Sequence, residues 1–106
     1  MWYNMAMKIL IDADGCPVVD LTLQAAAEHG LEAILFCDTS HEFKEKNARV
    51  VTVDKGSDSA DFALIRQVKP GDIVVTQDYG LAAMVLAKRG YPITQNGKRL
   101  TDANID

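Results

Sequence analysis

Residues 8–30 read KILIDADGCPVVDLTLQAAAEHG, and they contain one complete strand-to-helix unit. The apolar run Lys8–Asp12 predicts a short buried strand. Pro17 suits the first turn of a helix, so we expect helix over Val18–His29 until Gly30 stops it. A strand that leads directly into a helix is the repeating unit of α/β proteins, so this stretch decides the fold class.

The same alternation continues to residue 94. Further strands are predicted at Leu31–Cys37, Arg49–Val53, Asp72–Gln77 and Tyr91–Thr94, and further helices at Asp58–Val68 and Leu81–Arg89. Apolar strands that alternate with helices predict parallel strands covered on both faces and joined by right-handed crossovers. We therefore expect a three-layer α/β/α sandwich with a five-stranded, mostly parallel sheet in the order 3-2-1-4-5.

Length and composition predict one soluble domain. Of the 106 residues, we assign residues 7–106 to that domain and residues 1–6 to an N-terminal arm or a cloning remnant. The net charge of -4 argues against unspecific attraction to nucleic acid, which would need a local basic face or a bound cation. No apolar run approaches the length of a membrane span. Cys16 and Cys37 lack zinc-finger spacing and predict reduced thiols in the cytoplasm.

Aspartates follow two of the predicted strands at the same edge of the sheet. Asp12 and Asp14 come at the end of strand one, and Asp78 comes at the end of strand four. In the order 3-2-1-4-5 these two strands are neighbours at the point where the strand order reverses, and open α/β sheets bind ligands there. Each aspartate also has an alternative role as the cap of the helix that follows.

Two further aspartates begin the second predicted helix. Asp58, Asp61, Phe62 and Ile65 share one helical stripe, so both carboxylates should continue the apolar, inward-facing side. The alternative is again capping, by Ser57 or by Asp58 itself. We prefer capping for one of those two residues and a ligand role for Asp61.

Clustered carboxylates repel one another, and a site built from them is stable mainly when a cation occupies it. We therefore predict a Mg²⁺ or Mn²⁺ site. Its expected ligands are Asp12, Asp14, Asp58, Asp61 and Asp78, of which Asp12, Asp61 and Asp78 would be catalytic. His41 lies in the loop after strand two, and it is a weaker candidate for contact with a substrate phosphate.

Three functions fit these residues. The first is a metal-dependent phosphodiesterase that cleaves nucleic acid, most simply RNA. The second is a phosphatase of the haloacid dehalogenase type, because DADG imitates its DxDG motif, with Asp12 as nucleophile and Asp14 as acid and base. Strand four would separate Asp72 from Asp78, however, which does not suit that motif set. The third is a module that binds a metal or a nucleic acid without catalysis.

Three long segments carry a specific resemblance. IDADGCPV (residues 11–18), VDKGSDSADFAL (53–64) and KPGDIVVTQDYGLAAMVLAKRG (69–90) together resemble the bacterial YaiI/YqxD family of uncharacterised proteins. The resemblance covers Met7 to about Thr101 and implies a PIN-like fold, which many metal-dependent ribonucleases share. It implies acidic site residues at Asp12, Asp61 and Asp78, with Asp14 and Asp58 as auxiliary residues.

The chain departs from the pattern in two respects. PIN domains often have glutamate in the central helix, whereas this chain has the shorter Asp61. Members of the resembling family also usually continue well past NGKRLT (residues 96–101), whereas this chain stops at Asp106. A missing C-terminal helix would expose part of the surface that covers the sheet, and we expect a homodimer as one way of burying it.

Overall fold

The fold comes from a computed structural model that describes residues 7–14, 16–38, 48–53 and 59–105. Among these residues strands and helices alternate, except that β3 is the next described element after β2. The elements are β1 (Lys8–Asp12), α1 (Val19–Glu28), β2 (Glu32–Asp38), β3 (Arg49–Val53), α2 (Ala60–Gln67), β4 (Ile73–Val75), α3 (Tyr79–Ala87) and β5 (Tyr91–Ile93).

The five strands form one parallel sheet in the order β3-β2-β1-β4-β5, which confirms the predicted order. β1 lies at the centre, where Leu10 pairs with Ile34 of β2 on one side and with Val74 of β4 on the other. The strand order therefore reverses between β1 and β4. Their carboxyl ends meet at one edge, which is the position where this architecture binds ligands.

Side chains that alternate along β1 divide the core between the two faces of the sheet. Leu10 packs with Leu64 of α2 and Val85 of α3 in one buried cluster. Ile9 and Ile11 face the other side, where they belong to a second cluster that includes Val19 and Ala26 of α1. The sheet is thus the middle layer of three, with α2 and α3 on one face and α1 on the other. Because Asp12 follows Leu10 by two residues, it points toward the face of α2 and α3.

The helix boundaries correct two expectations about α2. Ser59, rather than Ser57 or Asp58, caps it, and the Ser59 hydroxyl accepts from the Phe62 backbone N–H at 3.1 Å. The helix therefore presents Ala63 and Leu64 to the core, while the Phe62 side chain is 55% exposed. The prediction that Phe62 faces the core was wrong, whereas Ile65 of the same stripe is half-buried and packs against the core. Apolar residues at 60, 63, 64 and 68 form a second periodic face, and Ala63, Leu64 and Val68 of that face are buried.

The opposite edge of the sheet is held by a buried ion pair. Asp72 is 2% exposed and accepts hydrogen bonds from the Lys8 backbone N–H at 3.0 Å, from Lys8 Nζ at 2.6 Å and from the Lys69 N–H at 2.9 Å. Asp72 thus lies at the other end of β4 from Asp78, as predicted. In the part of the chain that the structure describes, no helix is long and apolar enough to span a membrane.

Candidate functional site

The site begins with a hydrogen bond between the ends of β1 and β4. Thr76, which is 2% exposed, directly follows β4 and donates from Oγ1 to Asp12 Oδ2 at 2.9 Å. The same Oγ1 accepts from the Asp78 backbone N–H at 3.0 Å. One hydroxyl thus fixes both the carboxylate of Asp12 and the backbone that carries Asp78.

Asp78 has a clear structural role as well as a place in the site. It is the N-cap of α3, and its Oδ1 accepts from the backbone N–H groups of Gly80 at 2.8 Å and Leu81 at 3.1 Å. The capping alternative is therefore correct for this residue. A carboxylate has two oxygens with several acceptor positions, so capping through Oδ1 does not use up the group.

Asp61 reaches the same place from the first turn of α2. The pKa of the Asp61 carboxyl is raised from its ordinary value of 3.8 to about 6, and burial is the largest cause. The negative charges of Asp12 and Asp78, hydrogen bonding with Asp78 and the charge of Asp14 account for the rest of this shift. Like charges and burial both disfavour the ionised form of an acid, so the part of the shift that comes from Asp12 and Asp78 shows that their carboxyl groups lie near Asp61.

The pKa of Asp12, at the end of the central strand, is also shifted by its surroundings. Burial raises the pKa of the Asp12 carboxyl, the hydrogen bond from Thr76 opposes that shift, and the charges of Asp14 and Asp78 add to it. Asp12, Asp61 and Asp78 come from β1, α2 and the turn before α3. Three separate elements therefore converge on one acidic cluster, which we define as these three residues.

Asp14 lies beside the cluster and ties it to β2. Its Oδ2 accepts from the Asp38 backbone N–H at 3.1 Å, across the ends of two neighbouring strands. This contact gives Asp14 a structural role in fixing the β1–α1 turn. Its charge still contributes to the pKa shifts of Asp12 and Asp61.

A cavity of about 300 Å³ opens next to the acidic cluster. Its lining includes Asp12, Asp14 and Asp78. The rest of the lining is not acidic and consists of Cys16, Val75, Thr76, Gln77 and Gln95. We call this the β4 cavity. It is large enough for a small chemical group next to the carboxylates.

Two of the predicted site residues, His41 and Asp58, lie outside the described residues. Across residues 7–14, 16–38, 48–53 and 59–105, no three His, Cys, Asp or Glu side chains are arranged as a ready-made set of metal ligands. The charges of Asp12 and Asp78 contribute to the raised pKa of Asp61, so the three carboxyl groups lie near one another, while the metal and the catalytic roles stay predictions.

Sequence reasoning missed two polar groups of this region, Thr76 and Gln95. Thr76 could have been found from strand pairing. Leu10 pairs with Val74, so Asp12 and Thr76, each two residues further along, lie side by side on the same face of the sheet. That inference depends on the register between β1 and β4, which the sequence does not specify. Gln95 follows β5 and had no signal of its own.

Comparison with known proteins identifies the family. Residues 10–106 match the sequence model of a family described as uncharacterised, YaiI/YqxD. This chain belongs to the YaiI/YqxD family. The match includes every residue of the acidic cluster, as well as Thr76 and Gln95, and it confirms the resemblance carried by the three motifs. No solved structure gives a significant match.

Relatives of this YaiI/YqxD protein are similar over nearly its whole length. A "UPF0178 protein" of Exiguobacterium sibiricum is 55% identical over 100 residues, which are 94% of this chain and 68% of the relative. The "UPF0178 protein" of Ruminiclostridium cellulolyticum is 52% identical and that of Alkaliphilus oremlandii 50%, again over 94% of this chain. The matched region covers 65% and 64% of those two relatives, so this chain spans about two-thirds of their length.

Proposed function

We propose that this YaiI/YqxD protein is a metal-dependent nuclease that hydrolyses phosphodiester bonds in RNA, with Mg²⁺ or Mn²⁺ as its cofactor. The single observation that carries the proposal is that Asp12, Asp61 and Asp78 lie close enough together for the charges of Asp12 and Asp78 to raise the pKa of Asp61. Three carboxyl groups from three elements crowd together at the switch point of a parallel sheet, at an electrostatic cost that a bound cation would relieve.

The chemistry of these side chains fits a hard divalent cation. The three members of the acidic cluster offer only carboxylate oxygens, which Mg²⁺ and Mn²⁺ prefer to nitrogen or sulfur. Asp12, Asp61 and Asp78 would hold the cation, with Asp14 and Asp58 as further candidates. When bound, such a cation lowers the pKa of a water molecule and neutralises charge on a scissile phosphate.

The protein's own residues have distinct parts in this proposal. Thr76 holds the Asp12 carboxylate in one orientation through the bond at 2.9 Å. The N-terminus of α3 holds Asp78 through two backbone N–H groups. Ligands fixed in this way lose little conformational freedom when they bind a cation or a phosphate, which favours binding.

The test is cleavage of fluorescently end-labelled single-stranded RNA with Mg²⁺ or Mn²⁺, compared with the same reaction in EDTA. We expect cleavage that requires the metal and is lost in Asp12→Asn and Asp78→Asn. Asn is also a good N-cap, so Asp78→Asn should leave α3 intact. Asp102→Asn, which changes an exposed acid outside the cluster, is the matched control and should cleave normally.

The same assay separates the alternatives. Metal binding without cleavage of RNA or DNA would support a binding module and would overturn the nuclease proposal. Release of inorganic phosphate from a monoester would indicate phosphatase chemistry. The position of Asp72 disfavours that chemistry, since Asp72 pairs with Lys8 at the opposite edge of the sheet. We propose the cytoplasm as the compartment, and RNA rather than a membrane as the partner. We also propose a homodimer as the assembled form.

A further inference from the structure

Part of the lining of the β4 cavity has no role in the proposed phosphodiester hydrolysis, and we call this part the amide wall. Besides the aspartates and Thr76, its lining consists of Cys16, Val75, Gln77 and Gln95. Cys16 and Val75 are the apolar members of this part, with Val75 only 3% exposed, and Gln77 and Gln95 carry amides. An apolar surface with a few polar groups at its margin is the usual composition of a site for a small organic ligand.

The amide wall is held in place before any ligand arrives. The Gln95 backbone N–H donates to Gln77 Oε1 at 2.7 Å, which joins the segment after β4 to the segment after β5. The turn that carries Gln95 is closed on itself, because Thr94 Oγ1 accepts from the Asn96 N–H at 3.3 Å and the Lys98 N–H at 3.1 Å. A wall fixed in this way loses little conformational entropy on binding.

Charge decides which ligand suits this wall. Asp12, Asp14 and Asp78 line the same cavity, so an anionic group would be repelled unless a cation were present. A neutral group avoids that repulsion. The volume of about 300 Å³ is at the lower limit for ligand sites, which suits one ring system rather than a chain of nucleotides.

We propose that the β4 cavity binds a single nucleobase, with the side-chain amides of Gln77 and Gln95 reading its edge. A glutamine amide offers a donor and an acceptor side by side, and its best match among the bases is adenine. The role of the cavity as a specificity pocket, for the nucleotide next to the scissile phosphate, rests on the proposed nuclease function. Binding of the base itself does not depend on that function, since it needs neither metal nor hydrolysis.

The test is titration of the full chain with adenosine in EDTA, followed by ¹H–¹⁵N NMR, with ribose as the control ligand. We expect saturable shifts at Cys16, Thr76, Gln77 and Gln95 with adenosine and none with ribose. Gln95→Leu should weaken adenosine binding roughly tenfold or more, the usual value of a bidentate amide–base pair. Gln24→Leu removes an exposed amide of α1 and should bind as the wild type does.

Three results would overturn the proposal: no saturable shift, shifts that map away from the β4 cavity, or equal affinities in Gln95→Leu and Gln24→Leu. Gln95→Glu gives a second variant if Gln95→Leu does not fold, and it should weaken binding because it removes the amide donors. Nucleosides contain no phosphodiester bond. Failure of base binding would therefore leave the nuclease proposal standing, and absence of RNA cleavage would leave base binding to be judged on these spectra.

Discussion

Asp61 of α2 and Asp78, the N-cap of α3, lie close enough for the charge of Asp78 and hydrogen bonding with it to raise the pKa of the Asp61 carboxyl. Two ionised carboxylates have only acceptor atoms, so a hydrogen bond between the pair forms only when one of them carries a proton. Asp61 is the member whose pKa rises, to about 6, because burial and the charges of Asp12 and Asp78 disfavour its ionised form. Close to neutral pH, the acidic cluster therefore changes its charge over a narrow range.

The first prediction concerns stability and pH without metal. Between the ordinary pKa of 3.8 and the folded value of about 6, the folded protein keeps a proton on Asp61 that the unfolded chain releases. This residue's contribution to stability therefore falls as pH rises through that range and is constant above it. We expect Asp61→Asn to be more stable than wild type at pH 7, by about 1 kcal/mol after allowance for solvent screening.

Urea denaturation of both proteins in EDTA at several pH values measures this difference. The gain in Asp61→Asn should be small near pH 4 and reach its full size above about pH 6. Asp102→Asn, as the control, should show no such gain. A difference between wild type and Asp61→Asn that does not change with pH would contradict the raised pKa.

The second prediction concerns Thr76, the residue that links two carboxylates. Thr76→Val keeps the shape of the side chain, but it removes the donor to Asp12 and the acceptor for the Asp78 N–H. Because these groups are partly buried, we expect a loss of roughly 1–3 kcal/mol in the free energy of unfolding. The pKa of Asp12 should also rise further, since the bond from Thr76 is what lowers it.

Thr76→Ser is the matched control, because it keeps the hydroxyl and removes only a methyl group. It should retain the pKa of Asp12 in carboxyl-detected NMR titration, and Thr76→Val should not. If both variants titrate alike, the hydroxyl does not position Asp12.

Much of the fold could be predicted because the chain alternates so regularly. Apolar runs such as KILID and DIVVTQ, each followed by a helix, predicted parallel strands, and the strand order expected for such a doubly wound sheet, β3-β2-β1-β4-β5, is confirmed. Element ends were less certain. α3 begins at Tyr79 rather than Leu81, because Asp78 caps it two residues earlier than expected.

The site was predictable only in part, for physical reasons. An aspartate at a strand end serves equally well as a cap or as a site residue, and Asp78 is a cap whose charge also acts on Asp12 and Asp61. The sequence offered two periodic apolar faces for α2, and it did not decide which of them packs against the sheet. It wrongly placed Phe62 on the buried face, where Ala63 and Leu64 lie. Thr76 and Gln95 could not be found without the register of β1 against β4 and the path of the turn after β5.

The third prediction concerns metal binding and its dependence on pH. We expect Mg²⁺ or Mn²⁺ to raise the melting temperature at pH 7.5. A ligand that binds only the folded state adds about 2.7 kcal/mol to the free energy of unfolding when its concentration is 100 times its Kd. The increase should shrink near pH 5, because Asp61 is then protonated and a protonated carboxyl is a poor ligand.

Differential scanning calorimetry with and without the metal measures this effect. Asp12→Asn and Asp61→Asn should lose the shift, and Asp102→Asn should keep it. A shift that survives in Asp12→Asn would place the cation elsewhere on the protein and would argue against the acidic cluster as its site.

The last prediction separates stability from function by using the opposite edge of the sheet. Asp72 is 2% exposed and holds Lys8 Nζ at 2.6 Å. Asp72→Ala therefore leaves the Lys8 ammonium without its carboxylate at a largely buried position, where the neutral Gln67 carbonyl at 3.2 Å still accepts from it. We expect a loss of about 3–5 kcal/mol in urea denaturation. Glu32→Gln breaks the exposed pair with Arg49, where Oε2 lies 3.8 Å from Nη1, and should change stability by less than about 1 kcal/mol.

At a temperature where Asp72→Ala is still folded, this variant should keep the metal-induced shift in melting temperature and the adenosine spectrum of the wild type, because Asp72 and the acidic cluster lie at opposite ends of β4. Loss of either response in the folded variant would show that the two edges are coupled.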